Sequence, residues 1–333
     1  MTNIQINTSQ RLFWIDVLRI ILALSIAILH YDWKLLPQAY LSVEMFFMLS
    51  GIFFIFQSTD CPSYNWLMRN IKRTFNVWQS FISIFIIFIL CVPPKHFSSS
   101  NIFDTLLGWS YIGLGNVIGP GAYWFIGVYI YVSIIYILVF HAFSRKTIFL
   151  YTFCIVLIGL ALLYNQSPAH NINLSTEILC WNFSFGFWRG LVGFGVGILL
   201  GPLLSQLQKV KIRPVVLYIL GISFMGLSVK IFKLYPPTAA FDYLWYVVGA
   251  IVIAFCYLIP NPSIKSFPKF FQKLPLSIYL FHPILIVMIK NNEMNISWVI
   301  YLLLVFFGGI VGVYYMRSFS NSIKYLFFKC IKQ

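Results

Sequence analysis

Arg11-Leu-Phe-Trp-Ile-Asp16-Val-Leu-Arg19, ten further residues, His30, then Val43-Glu44-Met-Phe46-Phe47-Met-Leu-Ser50-Gly51: this stretch carries charges into two otherwise apolar runs. On a helix, residues eleven apart are separated by three turns plus about 20°, with a rise of about 16 Å. Arg19 and His30 therefore share a face. Asp16 stands three residues before Arg19, within pairing reach, whereas Arg11 falls about 140° round the helix from Asp16 and reads as an interfacial anchor. An acid, an arginine and a histidine are costly in lipid, and such groups usually face a bundle interior or a water-filled cavity.

Composition sets the class. Over 333 residues the chain is 60% hydrophobic, 19% aromatic and 9% charged, against about 25% charged in soluble domains. The expected fold is all-α and polytopic. Runs near 13–30, 40–57, 77–93, 122–141, 148–164, 183–204, 213–232, 242–260, 274–289 and 297–315 are each long enough to cross about 30 Å of hydrocarbon. With ten spans, sixteen of the 23 Lys and Arg fall on one side and four on the other. That bias predicts both termini in the cytoplasm and explains the net charge of +15 without nucleic acid. The first run has no small-residue cleavage site after it and reads as an anchored helix.

The chain reads as one domain, 1–333. Residues 316–333 form a cytoplasmic amphipathic tail, with Ile323, Leu326, Phe327, Cys330 and Ile331 alternating with Lys324, Lys329 and Lys332, a pattern suited to an anionic leaflet. Six scattered cysteines show no Cys-x-x-Cys spacing, so no metal site or disulfide framework is expected. No nucleotide-binding fingerprint is present.

Several positions carry candidate chemistry. Tyr31-Asp32-Trp33-Lys34 turns the chain back, which predicts Glu44 at the depth of His30, where a carboxylate can fix the tautomer of a general base. Ser50-Gly51 reads as close helix packing. Arg69, Lys72 and Arg73 are either orientation signals or a cradle for an anionic donor, since arginine forks match phosphate. Residues 94–121 form the longest outer loop, with a surface or re-entrant segment around Ile102 to Tyr111 expected in it. Arg189, followed by Gly190, Gly193, Gly195, Gly197 and Gly201, is read as pore-facing on a tightly packed helix. His282 stands beside Pro283, where an imidazole can bond carbonyls freed by the kink.

Asp16-x-x-Arg19, His30, Val43-Glu44-x-Phe46-Phe47-x-x-Ser50-Gly51, the Arg69/Lys72/Arg73 cluster, Arg189-Gly190 and Ser277-x-Tyr279-Leu-x-His282-Pro283 together resemble the acyltransferase-3 family of integral membrane O-acyltransferases. Glu44 stands where Asp is usual, Asn76 where the family tends to have Pro, and the helix beginning Tyr123-Trp124-Phe125 lacks an acidic residue common in one subfamily. The resemblance implies transfer of an acyl group, most often acetyl from acetyl-CoA, to a sugar hydroxyl of a lipid-linked or surface polysaccharide such as O-antigen, at the bacterial inner membrane. It implies acetyl-CoA as donor substrate, no bound cofactor, and lipids as the other partner. The catalytic set it suggests is His30, Arg19, Asp16 and Glu44, with the donor on Arg69, Lys72 and Arg73 and further substrate contacts from Arg189, Ser50, Tyr279 and His282. Direct transfer and an acyl-His30 intermediate stay equally open. The rival reading is a transporter or flippase for a lipid-linked glycan, although inverted repeats and paired broken helices, common in transporters, are not found in the sequence.

Overall fold

The first apolar run forms helix α1 (Phe13–Tyr31) and a short 3-10 turn (Pro37–Leu41) reverses the chain into α2 (Ser42–Phe56). The computed structural model describes residues 13–56, 64–91, 99–114, 123–166, 178–207, 213, 215–221, 223–224, 239–259 and 269–331. The remaining elements are α3 (Tyr64–Cys91), α4 (Ser99–Leu107), α5 (Trp109–Ile112), α6 (Trp124–Ala142), α7 (Arg145–Gln166), a small hairpin of β1 (Ile178–Cys180) and β2 (Phe183–Ser184), α8 (Phe185–Leu207), α9 (Ala239–Leu258), α10 (Lys269–Asn291) and α11 (Trp298–Ile331).

Among the described residues, eight helices are long and apolar enough to cross a membrane. The chain is an all-α, multi-pass membrane protein. Of the ten expected spans, that at 242–260 is occupied by α9, whose described apolar part is Tyr246–Leu258, and half of that at 213–232 lies outside the described residues. Leu138, Leu150, Leu157 and Phe307 are exposed, as side chains facing lipid must be.

The bundle centres on α2 against α8, where small residues let two backbones meet. A Cβ on Gly51 would run into the Phe194 carbonyl, and one on Gly197 into the backbone of Met48. Gly197→Val is therefore expected to cost about 1–3 kcal/mol by overpacking and to lower the melting temperature in detergent. The same branching change at the exposed Leu203 should leave it unaltered; equal melting of the two variants would remove backbone contact as the reason for the glycine.

The 94–121 loop, expected to hold a surface or re-entrant segment, carries α4 and α5 among its described residues. Tyr123, at the mouth of α6, packs against Phe81, Phe85 and Phe88 of α3, so both helices have their ends on the same side. The end of α4 lies against the flanks of both helices. Trp78 Nε1 donates to the Leu106 carbonyl at 2.7 Å and the Tyr131 hydroxyl to that of Leu107 at 2.9 Å. Trp78 lies seven residues below Phe85, about 10 Å along the helix. The return passes through Gly108, at φ 77° and beside the Cα of Gly127, a conformation and a space that suit only glycine. The hairpin covers the segment: the Ser184 hydroxyl donates to the Tyr111 carbonyl at 2.9 Å and accepts from the Phe187 amide at 3.2 Å, capping α8.

The tail expected from 316 onward continues the last span as one helix: α11 runs unbroken over 34 residues. The side chains of 323–331 lie outside those described.

Candidate active site

Between α1, α2, α3, α6 and α10 lies a cavity of about 100 Å³. Its polar wall is Arg19, Arg73, Ser50, Tyr129 and Tyr279; Phe46, Phe53 and Phe125 supply much of the apolar wall. Arg19 Nη1 donates to Asp16 Oδ1 at 3.4 Å, and the Arg73 guanidinium lies 5.9 Å from the Phe53 ring centre. The two arginines face each other electrostatically. Asp16 offsets one of the two positive charges that converge on this half-open space, and among the described residues no carboxylate pairs with Arg73, so the cavity suits a negatively charged or strongly polarised ligand.

The basic cluster of α3 divides. Arg73 turns inward to the cavity, whereas Arg69 and Lys72 are exposed and line an open hollow with Asn65 and Met68. One helical turn separates Arg69 from Arg73. A phosphate-bearing chain lying in the hollow could thread its other end past Arg73.

Ser50 lines the cavity, yet its hydroxyl donates to the Phe46 carbonyl at 2.8 Å. That local bond shows a packed helix hydroxyl. Tyr279 closes the cavity at the other end and meets the ring of His282 edge-on, with centroids 5.7 Å apart. His282 in turn stacks on His30 at 5.3 Å with 24° between the planes. His30 keeps an exposed edge, while His282 is fully buried. A polar line thus runs from Arg69 and Lys72 through Arg73, Arg19 and Tyr279 to the two histidines.

Two expectations are corrected here. Glu44 does not orient His30: Arg189 Nε donates to Glu44 Oε1 at 2.5 Å, and Nη2 closes on the same oxygen. Arg189 faces no pore. It is buried, with its guanidinium 4.7 Å from the Trp124 ring centre and 5.9 Å from that of Tyr40. The nearest cation in sequence, Lys34, lies ten residues before Glu44 across the reversing turn, so only the fold could show that α8 delivers its partner. The charge is sealed by aromatic faces, which attract a desolvated guanidinium, and neither snorkelling nor solvent contact is left to it.

The sequence reading missed Tyr129 and the His30–His282 stack. Tyr129 stands one turn after Phe125 on the same face of α6, a spacing that could have placed both on one wall. The histidine stack joins residues 252 positions apart and leaves no local signal.

A family model described as an acyltransferase domain, that of acyltransferase-3, matches residues 12–327. The chain belongs to this family. It is a membrane O-acyltransferase, acting on an acyl donor and a non-aminoacyl acceptor. No curated relative and no solved structure matches the chain. The residues of the acyltransferase-3 model include every side chain of the cavity and both histidines, so the whole polar line lies within the matched region.

Proposed function

We propose that this acyltransferase moves an acetyl group from acetyl-CoA to a sugar hydroxyl of a lipid-linked or surface polysaccharide such as O-antigen, in the bacterial inner membrane with both termini in the cytoplasm. What carries the reading is the convergence of Arg19 and Arg73 on a cavity bounded by Tyr279, whose ring meets His282 and, through it, His30. Acetyl-CoA fits it by charge: its phosphates suit the hollow of Arg69 and Lys72, and its pantetheine arm is slim enough to pass Arg73 and Arg19. The excess of positive residues on this side supports a cytoplasmic donor.

His30 is the base in this reading. It takes the proton of the acceptor hydroxyl, the freed oxygen forms a bond to the thioester carbon, and the carbon–sulfur bond breaks. The proton then returns to the departing thiolate, leaving the acetylated sugar and free CoA.

The test uses purified protein in liposomes with radiolabelled acetyl-CoA and extracted O-antigen polysaccharide. Labelled, alkali-sensitive ester on the glycan is the expected product. Arg73→Ala should raise KM for acetyl-CoA by about tenfold or more, since a hydrogen bond to a charged group contributes about 1.5–3 kcal/mol, and leave KM for the glycan unchanged. Were Arg73→Ala instead to invert the topology of a reporter fusion with donor KM intact, the cluster would be an orientation signal only.

A further inference from the structure

We infer that His282 is a second catalytic residue: its imidazole N–H donates to the carbonyl oxygen of the bound acyl group while His30 handles the proton. The inference rests on the acyl-transfer reading above and assigns a role that His30 alone leaves unfilled, namely holding the negative charge that develops on the carbonyl oxygen.

Three observations carry it. First, His282 is fully buried, and neither ring nitrogen has a hydrogen-bond partner among the described residues. The carbonyls of Ile278 and Tyr279, one turn back on α10, polarise the ring without reaching hydrogen-bond geometry. Pro283 cannot bond the Tyr279 carbonyl, so that carbonyl and the one of Ile278 are weak acceptors for the imidazole, at a geometry that leaves room for a better one. A buried polar atom left without a partner costs about 1–3 kcal/mol, a cost that a bound ligand removes. Second, the ring lies almost parallel to that of His30, so the two present their edges side by side to one small group. Third, Tyr279 separates His282 from the arginine cavity and touches both. An acyl arm that lifts the Tyr279 ring meets the imidazole edge of His282 next.

The electron balance is that of ordinary acyl transfer. The hydroxyl oxygen bonds to the carbonyl carbon as its proton passes to His30, and the carbonyl electron pair moves onto oxygen, where the His282 N–H holds it. The pair then returns, the carbon–sulfur bond breaks, and the thiolate takes the proton from His30. His282 keeps its own proton throughout.

Three variants test this in the full-length protein: His282→Phe keeps the stack and loses both nitrogens, while His282→Asn and His282→Gln place an amide N–H near the two nitrogen positions. Removing one oxyanion donor typically costs about 10²–10³ in kcat. His282→Phe should show that loss with KM for acetyl-CoA nearly unchanged, and one of the two amide variants should recover about tenfold of it. A second readout needs no turnover. On binding the unreactive ketone analogue acetonyl-CoA, ¹³C-labelled at the carbonyl, the C=O stretch should shift to lower frequency in the wild type and not in His282→Phe. Wild-type turnover by His282→Phe, or the same carbonyl shift in it, overturns the inference. So does donor binding lost equally in all three variants, which marks a packing residue. If the wild type shows the shift but acetylates no glycan, the acceptor reading fails and the role of His282 stands.

Discussion

Replacing Glu44 alone, by Ala or Gln, is expected to destabilise the protein by about 3–5 kcal/mol, because it leaves a charged guanidinium buried without its counterion. Arg189 is 1% exposed and Glu44 is 1% exposed, so neither water nor lipid headgroups can take over the lost partner. A domain holds only about 5–15 kcal/mol in all, and a loss of this size should appear as low membrane abundance and early melting in detergent. The double change Glu44→Leu with Arg189→Met removes both charges at similar volume and should recover most of the stability. Transfer activity should return with it, since the pair lies behind Trp124 and Tyr40 rather than in the cavity. A well-folded, fully stable Glu44→Ala protein would show that the ion pair contributes little; a stable but inactive double variant would put the pair back among the reacting groups.

The second large effect belongs to His30. His30→Ala should lower kcat by about 10²–10⁴, the range for loss of a positioned base, with the melting temperature and KM for acetyl-CoA close to wild type. Stability is spared because one edge of the ring is exposed. Donor affinity is spared because Arg19 lies eleven residues down α1, about 16 Å away. The opposite pattern is expected of Arg73→Ala, which separates the donor end of the polar line from the proton-transfer end. Undiminished glycan acetylation by His30→Ala at normal membrane levels would end the general-base reading.

Much of this was legible in the chain. The shared face of Arg19 and His30 and the Asp16–Arg19 contact follow from spacing alone, because helical geometry is local and the chain repeats it faithfully; the close packing at Gly51 follows from residue size, and a surface or re-entrant segment around 102–111 from the length of its loop. What the sequence left hidden is contact between helices. Glu44 and His30 were expected together because both sit near the same bend, yet the fold turns Glu44 toward α8, where Arg189 waits 145 residues later. The stack of His30 on His282 is hidden for the same reason. A periodic pattern says which face of a helix is polar, never which other helix will answer it. The division of the α3 cluster is a subtler case: Arg69, Lys72 and Arg73 lie within one arc of the helix, yet Arg73 turns toward Phe53 of α2 and the cavity while the other two stay in the open hollow.

The dip of α4 and α5 has a bearing on how the membrane machinery reads this chain. A segment that enters and leaves through the same face adds apolar residues without adding a crossing, so it is silent in the odd-and-even counting that decides on which side each later loop emerges. Were Ile102 to Ile112 a full crossing, every cation from Arg145 onward would change sides. With ten spans, it is the short bridging turn at Gly108, held by Trp78 and Tyr131, that would keep the parity. A charge inserted at that turn, or a lengthening of α4 by two turns, tests the order of the whole chain downstream rather than the loop in which it is made.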